Sequence, residues 1–391
     1  MAKIDELLKE LCPDGVDNVS LDSILEYEQP SKYIVKSTEY NDLYSIPVLT
    51  AGKSFLLGYT DETSGVYEAS SAKPTIIFDD FTTSFHWVDF PCKVKSSALK
   101  FIRPKNKDNV SFRYVYYQMS IIKFVAQEHI RHWISVYSKF EIPLPPLPIQ
   151  QHIVEVLDTF TDAISNLEEE LALREKQFGF YREQLLSFDD EASLGGKLFS
   201  DKVEYVKLKD ICLNICSGGT PLTSNKEYYS GSNPWLRTQE VDWNDVYDTE
   251  LKISEDAIKN SSAKLIPANC LIVAMYGATA GKCCINRIPL TTNQACCNLQ
   301  IDERQALVKY VFHWVCKEYH HIKAMGEGSQ SNLNAQKVKS YPVPLPSISI
   351  QKEIVEILDT FEAMIANIKE EISLRTKQYE YYREKLLSFG N

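Results

Sequence analysis

No run in this sequence of 391 residues approaches the roughly 20 apolar residues that a membrane-spanning helix needs. The opening MAKIDELLKE is charged where a signal peptide would be apolar, so neither a membrane protein nor an exported one is expected, and a cytoplasmic one is. There is no C-x-x-C: Cys212 and Cys216 are too far apart, and Cys283-Cys284 and Cys296-Cys297 are adjacent pairs that would point to opposite faces of a strand. The ten cysteines therefore read as reduced, small apolar core residues, and no metal site is expected. A P-loop is also missing, because GATAGKC (Gly277 to Cys283) is one residue short and has cysteine where a hydroxyl should meet magnesium. No G-x-G-x-x-G follows a strand, and no Asn/Asp-Pro-Pro-Tyr motif of methyltransferases occurs, so the chain is not expected to be an enzyme. Asp79 and Asp80 in IIFDDF read as turn residues and caps rather than metal ligands.

What is present is a duplication. IVEVLDTF (Ile153 to Phe160) returns as IVEILDTF (Ile354 to Phe361), 201 residues later. The same offset joins IPLPPLPIQ (Ile142 to Gln150) to VPLPSISIQ (Val343 to Gln351), and YREQLLSF (Tyr181 to Phe188) to YREKLLSF (Tyr382 to Phe389). A weaker echo, NVSLDSI (Asn18 to Ile24) and YVKLKDI (Tyr205 to Ile211), marks the start of each copy. A period of half the chain is too long for a solenoid and means a duplicated domain plus helix. Between these anchors the copies barely resemble each other; each shows short β-rich runs split by turn residues, then a helical stretch starting near Phe112 or Val308. The fold class expected is α+β: two globular domains, 1–143 and 189–342, separated by a pair of long antiparallel coiled-coil helices, 144–188 and 343–391, in a pseudo-twofold internal duplication.

The helices carry a heptad seam: Ile153, Leu157, Phe160, Ile164, Leu167 and Leu171 in one, Ile354, Leu358, Phe361, Ile365, Ile368 and Ile372 in the other. The Pro-rich lead-ins are expected to be stiff, non-helical connectors. Connectivity favours pairing within the chain, since the first helix ends where the second domain begins and the second helix starts where that domain finishes. An oligomerisation coiled coil between chains is the alternative. Arg174 and Arg375 sit at matching seam positions and are expected to extend their heads to solvent.

The formal net charge is −11, but it is unevenly spread. The repeated helices are acidic, whereas Lys93 to Lys139 holds ten Lys/Arg against two acids and Ala257 to Tyr341 ten against four. Two basic stretches, each ahead of a repeated helix, suit phosphate contact; a solvated basic face is the alternative reading. Two unlike domains on a rod tens of ångströms long could meet two half-sites about one duplex turn apart.

Taken together, the Pro-rich lead, Gln150 or Gln351, the heptad helix ending YREQLLSF or YREKLLSF, and the two variable domains closely resemble the specificity subunit of type I restriction-modification enzymes over essentially the whole chain. PVLTAGK and IIFDDF in the first copy, and PWLRTQEVDW, GATAGK and TTNQACCNL in the second, support it. The resemblance implies a non-catalytic reader of a bipartite, asymmetric double-stranded DNA target, with two target recognition domains and a spacer that docks two methyltransferase subunits. It also implies S-adenosylmethionine in those partners, ATP and Mg in motor-nuclease subunits that could join them, and no cofactor in this chain. The first copy lacks GATAGK, so identical DNA-contact loops are not expected. Polar and basic side chains on loops are the candidate DNA contacts: Lys53, Lys73, His86, Arg131, His132 and Lys139 in the first copy, and Arg237, Gln239, Lys282, Gln330, Asn332, Asn334 and Lys337 in the second. A coiled-coil scaffold or regulatory protein without sequence-specific DNA reading is the competing hypothesis; it predicts association indifferent to DNA and salt.

Overall fold

The computed structural model describes residues 2–51, 55–106, 108–126, 130–198, 203–326 and 332–389. The chain forms two compact units, Met1–Glu168 with Glu370–Asn391, and Glu169–Lys369. Each unit thus takes part of both long helices, Leu147–Leu185 and Ile348–Leu387. No described helix is long and apolar enough to cross a membrane.

In the first unit a four-stranded sheet runs in the order Leu25–Glu28, Leu99–Pro104, Thr75–Asp79, Phe85–Val88, all neighbours antiparallel. Beside it Ile46–Leu49 lies between Leu56–Thr60, antiparallel, and Lys93–Val94, parallel. The second unit repeats the plan: Cys212–Ser217, Cys296–Ile301, Leu271–Ala274 and Cys283–Asn286, extended by Asp245–Val246. Its smaller sheet again has a central strand, Asn233–Leu236, antiparallel to Leu251–Ile253 and parallel to Thr291–Thr292. The mixed helix-and-sheet architecture and the internal duplication expected of the sequence are therefore present in the backbone, although the intervening sequences barely match.

Strand alternation explains the adjacent cysteines. Cys283 and Cys297 join the apolar cluster that includes the helix Val308–Lys317, whereas Cys284 and Cys296 join the cluster on the opposite side with Leu236, Val241 and Leu290. Burial holds their thiols well above the ordinary range, so they behave as small apolar residues. The weak sequence echo has a structural role in both copies. Asn18–Ser20 pairs antiparallel with Glu141–Pro143, and Glu204–Lys207 with Pro342–Leu345, so each unit's first strand is tied to the connector that leaves it.

The connectors depart from expectation, because the long helices begin inside the Pro-rich lead-ins, at Leu147 and Ile348. Pro148 falls in the first turn, where its missing N–H removes no intrahelical bond and its fixed φ suits a helix. A glutamine anchors each start. Gln150, fully buried, accepts from the Ser111 N–H at 2.8 Å and donates to the carbonyls of Asn109 at 3.1 Å and Pro145 at 2.7 Å. Gln351 does the same with Leu307 N–H at 2.9 Å and the carbonyls of Gln305 at 3.1 Å and Pro346 at 2.9 Å. An amide is needed for this, since one end must accept and the other donate twice. Next to each clamp, Tyr114 donates to the Pro143 carbonyl at 2.8 Å and Tyr310 to that of Pro344 at 2.9 Å.

Within each unit the two long helices pack antiparallel. In the first, Phe160 stacks on Tyr382, while Ile153 and Leu157 cluster with Leu386 and Leu387. In the second, Phe361 stacks on Tyr181, Ile354 and Leu358 cluster with Leu185 and Leu186, and Lys369 meets Glu175 at 2.8 Å. Full burial of Ile153, Leu157, Ile354 and Leu358 contributes about 1.5–3 kcal/mol each. Phe160, Ile164, Leu167 and Leu171 are half-buried, as are Phe361, Ile365, Ile368 and Ile372. Arg174 keeps to its own helix, reaching Glu170 at 3.3 Å and Gln177 at 3.1 Å, and Arg375 repeats this with Glu371 at 2.7 Å and Gln378 at 3.2 Å.

Candidate nucleic-acid interface

In each unit the hairpin turn between the third and fourth strands of the larger sheet is stitched to the loop that precedes the connector. In the first unit the turn follows Thr75–Asp79 and the loop begins at Arg131; the His132 N–H donates to the Asp80 carbonyl at 2.9 Å. In the second the turn follows Leu271–Ala274, and the Leu333 N–H donates to the Met275 carbonyl at 2.8 Å. The two copies therefore build the same lip from unlike residues, DDFTTS in one and MYGATAGK in the other.

The first lip is held from beneath. Asp79 behaves as a turn residue, accepting from the Phe81 N–H at 3.0 Å and the Thr82 hydroxyl at 2.5 Å. Asp80 lies in the turn too, but its carboxylate is buried, 3.0 Å from the equally buried Lys100 ammonium, and accepts from the Trp133 N–H at 2.8 Å. Trp133 then packs edge-on to Phe78 at 5.0 Å. The turn position expected of Asp80 is present, and this buried anchor is a second role that turn chemistry alone does not imply. The one sequence sign of it is Lys100 inside the apolar strand Leu99–Pro104, where alternation places it on the side of Ile102. Arg131 is exposed on the loop, while His132 is turned inward, 2% exposed, with Nδ1 3.0 Å from the Asp80 carbonyl. Lys139 is exposed and paired with Asp22. Lys73 lies at the far end of the strand Thr75–Asp79, in a tight turn with Ser70, away from the lip. His86 stacks face to face on Phe55 at 3.9 Å, and burial lowers its pKa, favouring neutral imidazole. Lys53 lies outside the described residues.

The second unit brings more candidates together. The Thr279 hydroxyl donates to the Thr238 carbonyl at 2.7 Å, joining the hairpin turn to the segment with Arg237 and Gln239, and Leu333 joins the same turn to the loop with Asn332 and Asn334 and to the short helix that follows with Lys337. Gly277 and Gly281 take positive φ of 84° and 87°, which a side chain rarely adopts, so the turn depends on glycine. The turn leads into the strand Cys283–Asn286 and not into a helix, so no helix N-terminus stands where a P-loop would cradle phosphate. Arg237 is 3.6 Å from Glu240 and pairs with Glu250, with the exposed Gln239 amide against its guanidinium. Lys282 pairs with Asp242. Asn334 caps the helix Ala335–Ser340 by accepting from the Lys337 N–H at 2.9 Å, and Lys337 donates to the Met325 carbonyl at 2.7 Å. Asn332 is half-buried, its side-chain oxygen without a partner among the described residues. Gln330 lies outside the described residues.

The basic stretches are not simple surface patches. Lys93 and Lys100 are buried against Glu62 and Asp80, Arg103 meets Glu28 at 3.2 Å and Arg113 meets Asp158 at 2.9 Å. In the second copy Arg287, Lys309 and Lys317 pair with Asp245, Glu362 and Glu318. Much of each run is neutralised inside its own unit, which the sequence count alone could not reveal.

Comparison with known proteins places these features in a family. The family model described as the type I restriction modification DNA specificity domain matches twice, at residues 13–174 and 200–374. The chain is 40% identical over 409 aligned residues to the type I restriction enzyme EcoR124I/EcoR124II specificity subunit of Escherichia coli, covering 100% of this chain and 98% of that protein. Among solved structures, the S subunit of a type I restriction-modification system from M. genitalium is similar in fold, with a TM-score of 0.65 at 16% identity over 97% of this chain and 98% of that one. A chain from a study of type I R-M complex assembly and conformational transition is similar too, with a TM-score of 0.57 at 15% identity over 96% and 98%.

Proposed function

Because the chain belongs to the type I restriction-modification DNA specificity family, a non-catalytic role, we propose that it reads a two-part asymmetric target in double-stranded DNA, one part with each unit. The observation that carries this is the double match of the DNA specificity domain, once per copy, on units that build the same lip from different residues. Two equivalent but unlike readers suit two unlike half-sites, with unread bases between them set by the repeated helices as a spacer. On this reading the domains run 1–143 and 189–342, and the spacer segments that carry the long helices run 144–188 and 343–391.

The proposed contacts are Arg131, Lys139, Lys73 and His86 in the first unit and Arg237, Gln239, Lys282, Asn332, Asn334 and Lys337 in the second, with Lys53 and Gln330 beside them. His132 then serves to position Arg131. The pairs Lys139–Asp22, Arg237–Glu250 and Lys282–Asp242 each leave at least one partner well exposed. Exposed pairs contribute only about 0–1 kcal/mol, so a DNA phosphate can replace the carboxylate at little cost.

The repeated acidic helix surfaces offer two equivalent docking sites, one for each of two methyltransferase subunits. Those subunits would bring S-adenosylmethionine and extrude and methylate adenine; motor-nuclease subunits joined through them would bring ATP and Mg. The location proposed is the cytoplasm. The test is DNA binding by the chain reconstituted with its methyltransferase partner, measured across salt concentrations. Preference for one two-part sequence, weakening steeply as salt rises, is expected. Binding without sequence preference or salt dependence would favour a scaffold instead.

A further inference from the structure

The helix Val308–Lys317 occupies in the second unit the place of Phe112–Ile121 in the first, with Tyr310 matching Tyr114 in its bond to the connector. One turn further, the copies differ. In the first unit Tyr117 donates to Asp158 at 2.5 Å and Arg113 donates to the same oxygen at 2.9 Å. The Arg113 guanidinium lies over the rings of Trp87, Tyr116 and Tyr117 at 4.9–5.2 Å. In that clasp Tyr117, Arg113 and Asp158 join the short helix to the long one by direct hydrogen bonds.

At the matching positions the second unit has His313 for Tyr117, Lys309 for Arg113, Asp359 for Asp158 and Glu362 for Thr161. The His313 imidazole is fully buried, yet neither ring nitrogen has a hydrogen-bond partner among the described residues. Both nitrogens face carboxylates that are too far away to bond: Nε2 is 3.8 Å from Asp359 and Nδ1 is 4.0 Å from Glu362. One ligand atom from each of the three residues lies within 4.8 Å of the others. Beside them a cleft of about 410 Å³, lined by Glu362, Lys309, Phe178 and Trp243, leaves room for water.

We propose that His313, Asp359 and Glu362 bind a first-row divalent transition metal, of the Zn²⁺ or Mn²⁺ kind, which clasps the helix Val308–Lys317 to the long helix where the first unit uses Tyr117 and Arg113. An imidazole with two carboxylates is a donor set for such ions. Burial lowers the His313 pKa, favouring the neutral, ligating form. Asp359 and Glu362 stand three apart on one helical face and are partly exposed, so side-chain rotation can bring their oxygens to the roughly 2.0–2.2 Å that a bound ion requires. The nearest opposing charge is Lys309, whose ammonium lies 2.7 Å from Glu362 and 3.8 Å from Asp359. It must swing aside when the ion enters, so the metal and this ammonium compete.

That competition gives the test. The full chain, stripped with chelator, is titrated calorimetrically with Zn²⁺ and separately with Mn²⁺, and its thermal unfolding is followed with and without each ion. One saturable site and a raised unfolding midpoint are expected with at least one of the two ions. H313Y, which installs the first copy's residue, is expected to weaken binding by at least about 10–100-fold, and K309M to tighten it. D359N, checked for an unchanged fold without metal, should match H313Y. Absence of a saturable site for both ions overturns the proposal. Binding undiminished in H313Y and D359N also overturns it, by assigning the ion to other donors such as the cysteines.

Discussion

Phe160 stacks on Tyr382 with ring centroids 5.3 Å apart and planes 20° from parallel. Phe361 stacks on Tyr181 at 5.2 Å and 23°. Each pair joins the first phenylalanine of one long helix to a tyrosine near the end of the other, so each unit is completed by residues from both copies. The duplication is thus used twice in three dimensions.

Truncating one of these rings should weaken its own unit. Phe160→Ala is expected to cost about 2–3 kcal/mol, below the range for a fully buried phenylalanine because the ring is half-buried, and including about 0.5–1.5 kcal/mol for the stack. Hydrogen exchange should show increased opening around Ile153 to Phe160 and Tyr382 to Leu387. Loss of protection confined to Tyr181 and Phe361 instead would be inconsistent with the packing.

The glutamine clamps should tolerate no substitution that lacks an amide. Gln150→Ala strands the Ser111 N–H and two carbonyls, at about 1–3 kcal/mol for each group that water cannot reach. Chemical denaturation should show the loss, with exchange at Ser111 speeding up. An equal response at Leu307, which belongs to the Gln351 clamp, would contradict the assignment.

Asp80 and Lys100 should be strongly coupled. Asp80→Ala leaves a buried ammonium without its partner and should cost about 3–5 kcal/mol, whereas Asp80→Ala with Lys100→Met should recover much of it. Denaturant midpoints of the two singles and the double measure the coupling. Additive losses would mean that the pair does not act as one.

Acid should loosen the first unit through Glu62. Lys93 beside it, helped by the N–H groups of Ser37 and Lys36, lowers its pKa to about 2 from an ordinary 4.5. A depressed carboxylate pKa contributes stability that is present above the unfolded value and is lost as pH falls through the folded one. Stability should therefore decline from about pH 4.5 toward 2, and Glu62→Gln should flatten that part of the profile. A profile unchanged by the substitution would remove Glu62 from this role.

Much of the architecture was legible because it is written in periodicities. The 201-residue repeat, the heptads from Ile153 and Ile354, and the opposite faces of Cys283 and Cys284 all follow from spacing. Helix starts were misplaced because a proline in a first turn breaks no bond, so Pro148 is compatible with helix. The lips were harder to read. That DDFTTS and MYGATAGK occupy the same place depends on backbone hydrogen bonds from His132 and Leu333, which leave no trace in residue identity. The charge runs do not show which bases stay exposed, for the same reason, since the acids that neutralise Lys93 or Lys309 are distant in sequence.

Independent action of two unlike readers, one per unit, is checked by a genome-wide map of methylated adenines. The chain would be reconstituted with its methyltransferase partner, unchanged and with the exposed turn residues Tyr276 and Ala278 substituted while Gly277 and Thr279 are kept. A two-part asymmetric motif with a fixed unread spacer is expected, in which the turn substitutions alter one part and leave the other intact. A single continuous motif, or simultaneous change in both parts, would contradict it.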